Sequence, residues 1–300
     1  VWLGGMYMGQ PFYLEYETKF NNRKNYPDIF AQFKYVIENM KNPLNGLYYH
    51  AIDVSREAFW CDKVTGLSQH CWLRASGWYA MALLDTLDKV DNSDHKYDAE
   101  CKMLEDAFVE LMDSMLKYQD ESGMWYQVVN YGGMEKNYLE TSGSSIMAYA
   151  ILKGVRLGYL PENYREYAEK AINGICDKYL NTKDGEMSLG GICLVAGLGG
   201  KGNRPGTYDY YMSCCLFFLK QPPLPLYHLI NPCDILPYIL DILASFDSMS
   251  AVRIWLIPDT FCRSSRSARH DGLFLLHDQN VINSCFPRTC SHVWELVCTL

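Results

Sequence analysis

Three hundred residues, 49% of them apolar, suffice for one large core or two modest ones. A formal charge of −8 with no basic patch argues against a nucleic-acid or anionic-membrane partner, since like charges repel. No run approaches the ~18 apolar residues of a membrane span, and no basic region precedes the first apolar segment, so neither an anchor nor a signal peptide is expected.

The segment from Val1 to Phe12 is periodic and apolar. Asp28 to Met40 then reads as an amphipathic helix, followed by the polar turn Asn42-Pro43-Leu44-Asn45-Gly46 and a strand-like Leu47-Tyr48-Tyr49-His50. Arg74 to Leu84 opens with small residues and is apolar nearly all round, which predicts a buried helix. The same order returns with a helix from Ala99 to Tyr118, the turn Asp120-Glu121-Ser122-Gly123, the strand-like Met124 to Gln127 and a buried helix opening at Thr141. A third round begins with Tyr164 to Leu180, the turn Thr182 to Gly185 and Glu186 to Leu189. Outer amphipathic helices alternating with inner buried ones predict an all-α ring of helix pairs. The long polar-aromatic loops would gather at one end, where small residues would let a ligand approach the inner helix N-termini.

Composition changes near Ser213. Fifteen of sixteen lysines and twenty-one of twenty-two glycines precede it, and five prolines interrupt the most apolar region after it. Residues 214–300 are therefore expected to lie outside the repeating fold, as an unmatched, out-of-frame or disordered tail, with a small cysteine-rich module as the competing reading. The twelve cysteines contain no C-x-x-C pair or zinc-like spacing, so no metal is expected, and those before Ser213 read as small buried hydrophobes. Gly197 to Gly202 satisfies a bare G-x-G-x-x-G, but no helix follows, so no dinucleotide or other cofactor is expected.

Three residues read two ways. His50 would ordinarily be a hydrogen-bonded structural histidine and Trp78 a core residue; Arg74 is a poor helix opener, because a cation there opposes the macrodipole, and so favours a function. Asp53 and Glu140 are carboxylates in matching loops, with nothing to place either at a point of proton transfer.

Ordered blocks carry a resemblance: W-L-x-G-M-Y-M-G-Q-P-F at 2–12, G-L-Y-Y-H-x-x-D at 46–53 and G-L-S-x-H-x-W-x-R-x-x-G-W-Y-A-M-A at 66–82. W-Y-Q-V at 125–128, N-Y-L-E-T-S at 137–142, V-A-G-L-G-G at 195–200 and G-T-Y-D-Y-Y at 206–211 complete it. Residues 1–213 resemble the C-terminal portion of the unsaturated rhamnogalacturonyl and glucuronyl hydrolases of glycoside hydrolase families 105 and 88. The resemblance implies a partial (α/α)6 toroid of the six-hairpin glycosidase type, incomplete at both ends. It implies hydration of a C4=C5 double bond in an unsaturated galacturonyl or glucuronyl residue ending a pectin-derived oligosaccharide, with release of the neighbouring sugar. Gly4 stands where that family carries its acid/base aspartate, so the resemblance implies an inactive copy, with a silent acidic-sugar-binding homologue or a gene fragment as the alternative. His50, Arg74 and Trp78 match substrate-contacting residues, Trp2 and Trp72 complete the implied substrate-binding set, and His70 is a weaker candidate. Location is left open between cytoplasm and periplasm.

Overall fold

The computed structural model describes residues 1–183, 186–200, 202–214 and 216–221. The sequence alternation becomes three pairs of helices in chain order. The inner members are α1 (Leu3–Phe20), α3 (Leu73–Lys89) and α5 (Thr141–Leu157); the outer members are α2 (Tyr26–Met40), α4 (Asp98–Leu116) and α6 (Arg165–Tyr179). Helix α3 packs between α1 and α5 and is buried continuously from Ala75 to Leu87, as its all-round apolar pattern requires. The outer helices bury one stripe each, such as Ile29, Phe30, Phe33, Val36 and Met40 in α2. The arrangement is that of a partial helical toroid. Helix α1 departs from the expectation that inner helices are buried all round, since Phe12, Tyr16 and Phe20, one turn apart, are exposed. No helix among the described residues is long and apolar enough to cross a membrane.

The small residues that open the inner helices serve packing between helices. A Cβ on Gly143 would stand 2.4 Å from Leu73 Cγ and 3.1 Å from the Arg74 nitrogen, and one on Gly77 would meet Ile146 Cγ2 at 2.8 Å. Only the missing side chains let α3 and α5 approach so closely. Farther along, Lys153 of α5 lies 2.8 Å from both Asp85 and Asp88 of α3. Burial works against the Lys153 charge, but Asp85, Tyr149 and Asp88 outweigh it and keep the ammonium protonated.

The connections behave as expected at one end of the ring. The loop after α2 returns past the start of α1, where Trp2 bridges Ala51 and the Leu3 N–H donates to the His50 carbonyl at 2.9 Å. The loop after α4 does the same for α3, through a Trp72–Val128 bridge and a bond from Leu73 N–H to Gln127 at 3.1 Å. Within the strand-like segments Tyr48 bridges Lys41 and Tyr126 bridges Leu139, isolated bridges instead of hairpin strands. After α6 comes a three-stranded antiparallel sheet of β1 (Leu180–Lys183), β2 (Glu186–Cys193) and β3 (Leu216–Gln221), in the order β1-β2-β3. Asn181 faces Ser188, Leu189 faces Leu219 and Cys193 faces Leu216. Between β2 and β3 lies the short α7 (Tyr208–Ser213). Of the stretch set apart by composition, Cys214 and β3 are described; residues 222–300 lie outside the described residues, as does Gly185 of the third turn.

Turn glycines hold the outer helices to these loops. Gly46 (φ +75°) and Gly123 (φ +87°) both adopt left-handed backbone. A Cβ on Gly123 would lie 2.4 Å from the Lys170 backbone of α6, whereas one on Gly46 would meet the Ser114 hydroxyl, which can rotate. Gly133 (φ +77°) has nothing within 4 Å. Urea denaturation is expected to rank three substitutions: Gly133→Ala costs about 1–2 kcal/mol from backbone strain alone, Gly46→Ala somewhat more, and Gly123→Ala the most.

Candidate functional site

The shared end of the inner helices brings all six candidate positions into one cluster. Trp2 occupies the position before α1, 44% exposed, with its ring edge-on to His50 at 5.8 Å. His50 is only 2% exposed; its ring lies 4.7 Å from Trp72, and its Nδ1 shares a 2.7 Å hydrogen bond with the Tyr211 hydroxyl. Trp72 precedes α3, is largely buried, and donates its indole N–H to Gln127 Oε1 at 3.0 Å. Trp78, one turn into α3, stacks on Tyr7 at 5.1 Å, so one indole face is occupied from within the protein. Among the described residues outside its own turn, a Cβ on Gly4 would approach only the Trp78 Cδ1, at an ordinary 3.5 Å. Gly4 is the second residue of α1, whose first turn carries no acidic side chain.

Arg74 is the charged member. Its guanidinium lies 4.8 Å over the Trp72 ring. Nη1 donates to Ser142 Oγ at 3.1 Å and the Cys193 carbonyl at 2.6 Å, and Nη2 to the Leu194 carbonyl at 3.1 Å. All three acceptors are neutral. No carboxylate forms an ion pair with Arg74 among the described residues. Among the described residues three of the five guanidinium N–H donors are therefore used and two have no partner, the number a bidentate carboxylate takes.

Other residues of this end were less visible in sequence. Glu140 is fully buried and caps α5 by accepting from the Ser142 and Gly143 N–H groups. Tyr211 of α7 reaches His50 across 161 positions, a distance no local pattern reports. Arg204 and Trp2 meet over Gly197, where a Cβ would lie 2.6 Å from Arg204 Nη1 and 3.4 Å from the indole; the glycines of the 195–200 block were the available signal. Gly199 of the G-x-G-x-x-G run bridges Arg204, and the next helix among the described residues is α7 at Tyr208. His70 lies edge-on to Tyr131, Tyr208 and Tyr211 at 5.3 to 6.2 Å, beside the cluster. Asp53 turns into its own loop, accepting from Ser55, Glu57 and Ala58. Among the described residues no group of three or more His, Cys, Asp or Glu could hold a metal ion.

Comparison with known proteins identifies the family and the fold. Residues 1–215 match Glycosyl Hydrolase Family 88 as a sequence family. Protein Atu3128 of Agrobacterium fabrum is 37% identical over 213 residues, covering 69% of this chain and 89% of that protein. The unsaturated rhamnogalacturonyl hydrolase YesR of Bacillus subtilis is 24% identical over 189 residues, covering 63% of this chain and 48% of YesR. A solved glycoside hydrolase from family 105 of C. acetobutylicum superposes with a TM-score of 0.68 at 41% identity, over 82% of this chain and 64% of that one. The chain thus spans under two thirds of that structure and about half of YesR.

The buried histidine makes the site sensitive to acid. Burial, and then the Arg74 charge, lower the His50 pKa to about 3, and burial lowers that of His70 in the same direction. Unfolded histidine takes its proton near pH ~6.5, so His50 contributes stability that is present above that pH and is lost as pH falls toward about 3. Between pH ~6.5 and ~5, above the carboxylate range, the unfolding free energy is expected to fall by up to about 1.4 kcal/mol per pH unit for each such histidine. In His50→Gln the slope should drop by that amount; an unchanged slope in chemical denaturation would contradict a buried neutral ring.

Proposed function

Because this chain belongs to Glycosyl Hydrolase Family 88, we propose that its helix-end cluster binds the unsaturated uronic acid at the end of an oligosaccharide, and that Gly4 leaves the cluster without the carboxyl group that would hydrate it. The observation that carries the reading is Arg74, a cation with neutral partners and two uncommitted donors. A carboxylate is the ligand such a guanidinium takes, through two parallel charge-assisted bonds. Trp2 and Arg204 offer a half-exposed ring and a second cation beside it. Trp78 borders the Gly4 position with its edge, and His50, held neutral by burial, presents a polar ring between Trp2 and Trp72.

The chemistry follows from the substrate. A C4=C5 double bond next to the ring oxygen is a vinyl ether. Proton transfer to C4 from a positioned carboxylic acid leaves a cation at C5 that the ring oxygen stabilises. Water adds at C5 and returns a proton to the carboxylate. The resulting hemiketal opens, and the neighbouring sugar departs as an alcohol. One carboxyl serves as acid and then as base, provided its pKa suits both tasks. This differs from displacement between two carboxylates. An aspartate fits at position 4, where among the described residues outside its own turn only Trp78 Cδ1 comes within 4 Å of a Cβ, and the positive end of the α1 dipole would accommodate its charge. Pectin-derived unsaturated galacturonyl disaccharides are the proposed ligands, in keeping with YesR being an unsaturated rhamnogalacturonyl hydrolase. Residues 1–213 are proposed to carry this function without the 214–300 stretch.

Two measurements test the proposal. Calorimetry with an unsaturated galacturonyl disaccharide should show binding that Arg74→Ala weakens about 10- to 100-fold, as loss of hydrogen bonds to a charged group predicts. No binding by the chain, or equal binding by the variant, overturns the ligand assignment. In the same chain Gly4→Asp should begin to consume the ultraviolet absorbance of the double bond. A folded Gly4→Asp protein that binds without turnover rejects position 4 as the site of the missing acid.

A further inference from the structure

We propose that Glu140 is the positioning residue of the Arg74 clamp, an inference that rests on Arg74 receiving the uronate carboxylate. Arg74 Nη1 has two acceptors, Ser142 Oγ in the first turn of α5 and the Cys193 carbonyl at the end of β2. Both are governed by one oxygen. Glu140 Oε1 accepts from the Ser142 N–H at 3.0 Å, the Ser142 hydroxyl at 2.6 Å and the Cys193 N–H at 3.0 Å, while Oε2 accepts from the Gly143 N–H at 2.6 Å. A carboxylate can only accept, so the Ser142 hydroxyl proton points to Glu140 and the oxygen's lone pairs are left for Arg74. Likewise the Cys193 N–H is held, which fixes the residue from which the carbonyl reaches the guanidinium.

Capping α5 explains only part of this. A cap needs the Ser142 and Gly143 N–H groups, which a shorter acidic side chain also satisfies. The length of glutamate adds the reach to Cys193, 53 positions away. The carboxylate also stands one hydroxyl away from Arg74, and orients it without occupying the donors a ligand needs. An acid in direct bidentate contact would consume them.

Two variants separate capping from positioning. Glu140→Asp keeps the charge and the cap but falls short of Cys193; Glu140→Gln keeps the length but sets an amide N–H₂ against the Gly143 N–H. The first readout is the arginine side-chain NMR spectrum of the full chain, with Arg74 assigned by the signal lost in Arg74→Lys. Native Arg74 should show separate, slowly rotating Nη signals, and both variants should average them while far-UV circular dichroism remains native. The second readout is calorimetry with the unsaturated galacturonyl disaccharide, in which both variants should bind at least tenfold more weakly. Slow Nη signals retained in Glu140→Asp overturn the proposal whatever the calorimetry shows. If the chain binds no disaccharide but the variants still release Arg74, the ligand assignment fails and the positioning role stands. A Glu140→Gln protein that fails to fold leaves Glu140→Asp to decide, because that variant retains the cap.

Discussion

The close approach of α3 and α5 is the constraint on which the site depends. Gly143 lies against Leu73 and the Arg74 nitrogen, and Gly77 against Ile146, at distances no side chain permits. Because the helices meet backbone to side chain at their first turns, Arg74 of one helix reaches Ser142 of the other. A wider spacing, such as ordinary side chains at both contacts would impose, would take Arg74 out of reach of Ser142 and of the strand end that Glu140 holds. Tight helix packing and ligand electrostatics are here one problem with one solution.

Electrostatically, the cluster is an exception in an acidic protein. Net charge of −8 repels anions at long range, so attraction of the proposed uronate would have to come from fixed local groups. Arg74 keeps its charge undiluted because its contacts are a hydroxyl, two carbonyls and an indole face. The start of α1 adds a positive dipole end with no acidic side chain to offset it. Position 4 is thus a place where a carboxylate would be stabilised and where the chain supplies a hydrogen atom.

Much of the fold was legible because it is written in short-range patterns. The amphipathic stripe of α2, the all-round apolar face of α3 and the turn glycines at 46 and 123 each report their own neighbourhood. The cluster from Trp2 to Trp78 was legible only through ordered motifs, since nothing local marks His50 or Arg74 as sharing a site. What escaped depends on contacts between distant residues. Glu140 holds the Cys193 N–H 53 positions away as well as capping α5, and Tyr211 is fully buried with its hydroxyl on His50, 161 positions away. Tyr48 and Tyr126 make single bridges where alternation suggests strands, because alternation reports only which face is buried and carries no information about ladder length.

The Lys153 cluster has a mechanical consequence. It fastens α5 to α3 through Asp85 and Asp88, far along both helices from the glycine contacts at their starts. Two helices pinned at both ends cannot slide past one another: a shift of one turn, ~5.4 Å, would strand a buried ammonium without its partners. The inner wall of the site is therefore a fixed jaw.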